Sequence, residues 1–395
     1  MSNRWAVLAL MFLVGLNMPM QFQALPALAP FLIEEAGLGY GEIGVLTGLF
    51  MAPGIFLTGA AAVVAGRIGD RMTVVLGVSL MTLAALLFVL SETYTAMYAS
   101  RLLGGAGAVV ITVFLPKIVT DWFVGREIAT AQSIIASSFG LGVGLALAVL
   151  PSLASAAGWR TAMLANAGVG VLAVALLLLL YRDHPTGVGA RGRGPAKAGG
   201  GISTHEVALA GVAGAGRGLF SCGYVVFMGF APALLVLQGM DIAAAALLTS
   251  AAAAMSVLSV PAGGYLSDRT GKVNWFISLG AVGTGLSCVL LPYLAPATLW
   301  VLAFGLLRGG CTGGIMAMPA AALRPESRRA GFAVASAVYF LFMAAAPAIA
   351  GFLLEATGDA KAPLWFAGGL WFAILAQLAL FRTLLRRWVL GAKAT

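Results

Sequence analysis

Twelve stretches of this chain are each long and apolar enough to cross a lipid bilayer, and that pattern leaves few folds open. A crossing helix takes about 20 apolar residues. Cutting the sequence at charges and turn residues gives stretches at 5–33, 42–65, 73–91, 95–119, 130–156, 159–181, 206–236, 242–266, 273–294, 297–321, 331–355 and 362–385. The first is too long for the apolar core of a secretion signal and lacks a small-residue cleavage site, so it reads as a retained span. Only 9% of the 395 residues are charged and 61% are hydrophobic, whereas a soluble domain carries about 25% charged residues. The expected fold class is therefore an all-α membrane protein with 12 transmembrane helices in the lipid bilayer.

The sixth and seventh stretches are separated by residues 182–205, RDHPTGVGARGRGPAKAGGGISTH, whose Gly, Pro and scattered basic residues describe a solvated linker. The expected organisation is a six-helix bundle at 1–181, the linker at 182–205, and a second six-helix bundle at 206–395. With twelve spans both termini lie on one side. Eighteen Lys and Arg fall on that side and only Arg160 and Lys361 on the other, so both termini are expected to be cytoplasmic. The net charge of +9 is spread over these short clusters, which marks topology and argues against nucleic acid as a partner. Cys222, Cys288 and Cys311 lie in apolar stretches with no CxxC, and His184 and His205 have no ligand partner nearby. No metal or other cofactor is expected, and no nucleotide loop or Ser/His/Asp set suggests an enzyme.

The second half repeats the first. Gly66, Asp70 and Arg71 follow the second span, and Gly264, Asp268 and Arg269 follow the eighth at the same spacing. Arg101 in the fourth span and Arg308 in the tenth are each followed by a glycine-rich run, and Arg126 has its counterpart in Arg328. A repeat of this kind means duplication. Two sets of six spans form the architecture of an alternating-access transporter whose substrate binds between the halves.

At these residues the chain resembles the major facilitator superfamily. The family's signature between spans two and three, roughly G-x-x-x-D-R-x-G-[RK]-[RK], is matched by Gly264, Asp268, Arg269, Gly271 and Lys272. The first copy keeps Gly66, Asp70 and Arg71 but has Thr73 in place of the next glycine. The resemblance implies a cytoplasmic latch made of Gly66, Asp70, Arg71, Arg126, Gly264, Asp268, Arg269 and Arg328. Its carboxylates would face a helix N-terminus and nearby cations, a favourable placement. The alternative is that these charges only set topology. Arg101-x2-Gly104-Gly105-x-Gly107 resembles the family's fourth-span motif, whereas the antiporter signature of the fifth span, ending in Gly-Pro, is absent: Pro151 lies seven residues beyond Gly144.

Charge inside the spans is one-sided. All 14 acidic residues fall in loops or at span ends, while Arg101, Arg217 and Arg308 fall within spans. An arginine at the bilayer centre costs about 2.5–3.5 kcal/mol, and at 1.5 Å per residue Arg217 lies roughly 16 Å inside its helix. Without a neighbouring acid, such residues need carbonyls, hydroxyls, water or a bound anion, and a guanidinium suits carboxylates and oxyanions. Arg308 and Arg101 each precede glycines, so bonds to carbonyls of a neighbouring span are an equal alternative for them. Arg217 has no counterpart in the first half, and the resemblance adds that several anion-transporting branches use a seventh-span arginine. Asn17 and Gln21 on the proline-rich first span, and Tyr224 one helical face along from Arg217, complete the candidate substrate set.

The expected function is a secondary active or facilitative transporter of a small anionic solute, monomeric, in a bacterial inner membrane. Coupling would be by exchange or by a proton that travels with the substrate, because no span carries an acid. In flavour the chain looks like the cyanate and nitrate porter branches, although nitrate porters carry an Arg where this chain has Ala62. A proton-coupled drug or metabolite exporter, a sugar permease, or a transport-inactive sensor on the same fold are the competing readings.

Overall fold

The computed structural model describes residues 3–123, 128–181, 202–324 and 327–392, and all their regular structure is helical. The first half contains α1 (Arg4–Ala27), α2 (Ala29–Ala36), α3 (Tyr40–Leu49), α4 (Gly54–Leu90), α5 (Tyr94–Phe123), α6 (Ile128–Ala157) and α7 (Trp159–Leu180). The second contains α8 (Thr204–Leu237), α9 (Ile242–Thr270), α10 (Val273–Leu290), α11 (Ala297–Leu307), α12 (Gly309–Ala322), α13 (Arg328–Thr357) and α14 (Lys361–Ala392). Among them 12 segments are long and apolar enough to span a membrane. Large apolar side chains such as Phe56, Leu90, Leu179 and Leu258 are exposed around the outside. Water would not tolerate so broad an apolar surface, whereas lipid tails do.

Helix ends and spans do not coincide everywhere, and the differences have local causes. The first apolar stretch, 5–33, is two helices: α1 stops at Ala27 and the chain turns at Leu28, between Pro26 and Pro30. The second span is α3 plus the start of α4, interrupted over residues 50–53, where Pro53 precedes the new helix. Within α4 the chain passes from the second span to the third at Gly69, whose φ of 82° and ψ of 164° only glycine adopts readily. The tenth span divides into α11 and α12 at Arg308. Helix α8 begins at Thr204, two residues before the expected boundary, with Ser203 and Glu206 forming a capping box. His205 is thus helical rather than part of the linker.

The halves meet chiefly where α3 packs on α13 and α6 on α9. Approach between α3 and α13 is close enough to exclude side chains: a Cβ on Gly48 would lie 1.9 Å from the carbonyl oxygen of Ala344. At the end of the molecule far from the chain termini, here the distal end, Gly41 N–H donates to the Glu355 carboxylate at 2.8 Å, and Tyr40 packs on Phe230 with centroids 6.4 Å apart. This closes the distal end.

The opposite, terminal end is tied together within each half. Arg4 and Trp5 pack on Phe123. Glu206, with no exposed surface, accepts hydrogen bonds from Arg324 Nε and Nη2 at 3.0 and 2.9 Å. It also accepts from the Ser327 hydroxyl and from Ser203 N–H and Oγ. The acid joins the start of α8 to the segment that leads into α13.

Candidate functional site

On the terminal side of the distal closure lies a cavity of about 280 Å³ between the halves. The first half contributes the middle of α1 and the terminal-side portions of α5 and α6. The second half contributes one face of α8, parts of α9, α12 and α13, and Arg308 between α11 and α12. The walls are mainly apolar, as is usual for a small-molecule site. The only ionisable groups of charged type among the lining residues are Arg217 and Arg308.

Local structure explains how both arginines reach this space. Arg217 sits at mid-height on α8, and its guanidinium lies over the ring of Tyr339 at 4.3 Å from the centroid. Arg308 occupies the junction of α11 and α12. Its neighbour Gly309 lets α9 approach so closely that a Cβ there would lie 2.1 Å from the Ser259 carbonyl oxygen. The Arg308 guanidinium then lies 4.0 Å from the Tyr224 centroid and 4.7 Å from that of Phe220. These rings are themselves fixed by packing, since Trp371 meets Phe220 edge-on at 5.3 Å and Phe304 stacks on Tyr224 at 6.2 Å. Each cation–π contact contributes on the order of 0.5–2 kcal/mol.

Aromatic faces hold the planes of these cations and leave their N–H edges uncommitted. Among the described residues neither guanidinium donates a hydrogen bond to protein or has a carboxylate within 4.0 Å. Arg308 Nε and the Tyr224 hydroxyl are both buried without a partner. Such groups are rare in folded proteins and call for water, an ion or a ligand.

The remaining candidates are placed elsewhere. Arg101, 5% exposed, donates from Nε to Leu46 O at 3.0 Å and from Nη1 to Gln21 O at 3.3 Å, and lies 4.4 Å from the Phe50 centroid. Leu46 falls in the last turn of α3, where carbonyls lack a helical partner. The sequence leaves carbonyl bonds or substrate contact open to both arginines; Arg101 bonds carbonyls, whereas Arg308 lies against aromatic rings and lines the cavity. Asn17 and Gln21 are buried and bonded to each other, Gln21 Nε2 donating to Asn17 Oδ1 at 3.2 Å. They occupy the α1 face that meets α7 near Gly170, away from the cavity.

In the motif after the second span, Asp70 pairs with Lys117 of α5 within the same half, and Lys117 also lies 3.5 Å from Asp121. Arg71 donates to the Leu178 carbonyl at the end of α7. Gly66 is in α4. In the second copy Gly264 lies on α9 and Arg269 donates to the Tyr265 hydroxyl at 3.3 Å. Arg126 and the side chains of Asp268 and Arg328 lie outside the described residues.

Sequence reasoning missed Phe220 and Ser221, which stand three and four residues after Arg217 and so share its helical face. That spacing was a usable signal. The Glu206–Arg324 anchor had none, because its partners are 118 residues apart.

The model of the Major Facilitator Superfamily matches residues 7–206 and 213–393. Among solved structures, the chain is similar to a bacterial homolog to the human lysosomal transporter Spinster, in an inward-facing and unoccupied conformation. The identity is 18% and the TM-score 0.73, over 97% of this chain and 96% of that one. It is also similar to the nucleoside transporter NupG, at 14% identity and a TM-score of 0.71, over 93% and 98% of the two chains. No curated protein matches it.

Proposed function

Because the chain belongs to the major facilitator superfamily, a transporter fold, we propose that it carries a small anion across the membrane by alternating access, with Arg217 and Arg308 binding the substrate. The observation that carries this reading is the pair of guanidiniums in one cavity, which among the described residues have no acid beside them and no acceptor for their N–H edges. Two uncompensated cations in a largely apolar site are costly, and an anionic solute offsets that cost while it is bound. The nucleoside named for NupG is uncharged and would leave both cations unneutralised, so that substrate class is disfavoured here.

The two six-helix halves act as the rocking bodies in this scheme, joined by the linker that ends where α8 begins at Thr204. The distribution of Lys and Arg supports cytoplasmic termini, which makes the described state closed outward with its cavity toward the cytoplasm. An empty carrier would have to occlude both bare guanidiniums, so loaded transitions are favoured. Anion exchange, or entry of a proton together with the substrate, follows.

Thermal unfolding in detergent tests the reading against panels of anions, neutral solutes and lipophilic cations. A ligand of the folded state at 100 times its Kd stabilises by about 2.7 kcal/mol. One class of anions should stabilise the wild type and fail with Arg217→Gln. Equal stabilisation by neutral solutes in both proteins would overturn it.

A further inference from the structure

The two sides of the cavity differ in a way that bears on what fills it. Both arginines and the unpartnered Tyr224 hydroxyl belong to the second half. The first half presents a wall of Met18, Pro19, Ile111, Leu115, Ile135 and Phe139, with Thr112, Ser137 and Ser138 among them. Those three hydroxyls already donate to carbonyls of their own helices: Thr112 to Ala108 at 2.8 Å, Ser137 to Ile134 at 2.7 Å and Ser138 to Ile135 at 2.7 Å. They have only lone pairs left to offer. Among the described residues, the first-half wall therefore holds no side-chain donor left free for an anion.

An inorganic oxyanion is polar on every side and needs donors all round it. Bound at the arginines, it would turn part of its surface toward apolar carbon and oxygen lone pairs, and a charged group desolvated without donors is penalised heavily. An organic anion has no such conflict, because its charged end and its carbon skeleton can face different walls. We infer that the substrate is an organic anion with an apolar body, its charged group held wholly by the second half and its body packed on α1, α5 and α6 of the first. This rests on the anion reading proposed above and narrows it, and it sets the chain apart from carriers of inorganic anions such as nitrate. Lone pairs on Thr112, Ser137 and Ser138 would accept a hydrogen bond from a hydroxyl carried on that body.

The test is a binding series on the full-length wild-type protein with straight-chain monocarboxylates from two to seven carbons, beside nitrate, sulfate and phosphate, and beside the neutral primary amides of the same chains. Burial of one methylene contributes about 0.8 kcal/mol, so Kd should fall about fourfold per added carbon until the cavity is full. The inorganic anions should not compete at concentrations that saturate the longer carboxylates. Leu115→Ser and Ile135→Ser, each first shown to keep the wild-type unfolding temperature within a few degrees, should flatten the dependence on chain length by weakening the longest acids most. Affinity that is flat across the series, or inorganic anions that bind as tightly as the best acid, would overturn this inference and leave the anion reading standing. Amides that bind as tightly as the acids would overturn the anion reading itself.

Discussion

The Glu355 carboxylate at the distal end of α13 accepts the backbone N–H of Gly41 at the start of α3, at 2.8 Å, so an acid of one half caps a helix of the other. Glu42 accepts the adjacent Gly39 N–H at 2.9 Å, and the two carboxylates share the positive end of α3. The contact exists only while the distal end is closed, and any opening there must break it.

Glu355→Gln replaces a charge-assisted hydrogen bond by a weaker neutral one and should favour distal opening. In this background, Thr47→Cys, buried behind the closure, should react with a membrane-impermeant maleimide severalfold faster than in the wild type. Glu355→Asp should lie between them. Unchanged labelling would show that glycine packing along α3 and α13 alone keeps the end shut.

Tyr224→Phe removes a buried hydroxyl that no protein group satisfies. The fold loses no hydrogen bond, so the unfolding temperature without ligand should hold or rise. Hydrogen bonds to charged groups contribute about 1.5–3 kcal/mol, so anion affinity should fall by roughly ten- to a hundredfold. Competition binding with a stabilising anion measures both outcomes on one preparation.

Arg101 and Arg308 should separate cleanly. Arg101→Gln removes bonds to the Leu46 and Gln21 carbonyls and the contact with Phe50. Loss of buried, charge-assisted bonds should cost about 2–3 kcal/mol of stability, with Kd for the anion unchanged in the protein that remains folded. Arg308→Gln should spare most of the stability and raise Kd at least about thirtyfold, the usual loss when one partner of a buried charge pair is cut away. Thermal unfolding with and without ligand reads both effects.

Glu206→Ala should be destabilising without altering ligand preference. It removes the Glu206 half of the capping box of α8 and the carboxylate that Arg324 and Ser327 bond. Arg324 is 52% exposed and can turn to water, which places the expected loss near 2–3 kcal/mol rather than at the upper end for buried pairs. A shift in unfolding temperature of less than a degree would contradict the anchoring role.

How far the sequence carried depended on whether a feature was written locally. Span number is a function of hydropathy along the chain, and 12 such spans are found among the described residues. Arg217 stood out because a midspan cation without a nearby acid violates the cost of burial, and it does line the cavity. Arg101 and Arg308, by contrast, look alike in the sequence, each followed by glycines in equivalent spans. What separates them is tertiary: the end of α3 offers Arg101 a bare carbonyl, whereas the rings on α8 offer Arg308 only their faces. Asn17 and Gln21 were chosen for polarity in a proline-rich span, but the helical face they share turns toward α7. The pairing of Asp70 with Lys117 was hidden for the same reason, since the lysine belongs to another helix.

The anchor at Glu206 also sets an order of events in synthesis. Its carboxylate leaves the ribosome 118 residues before Arg324 and 121 before Ser327, and after its described partner Ser203. Helices α8 to α12 are therefore made and inserted before the bond that fixes the start of α8 can form. A polypeptide that stalls or is cut short ahead of Arg324 carries the acid without the clasp that ties the start of α8 to the segment leading into α13.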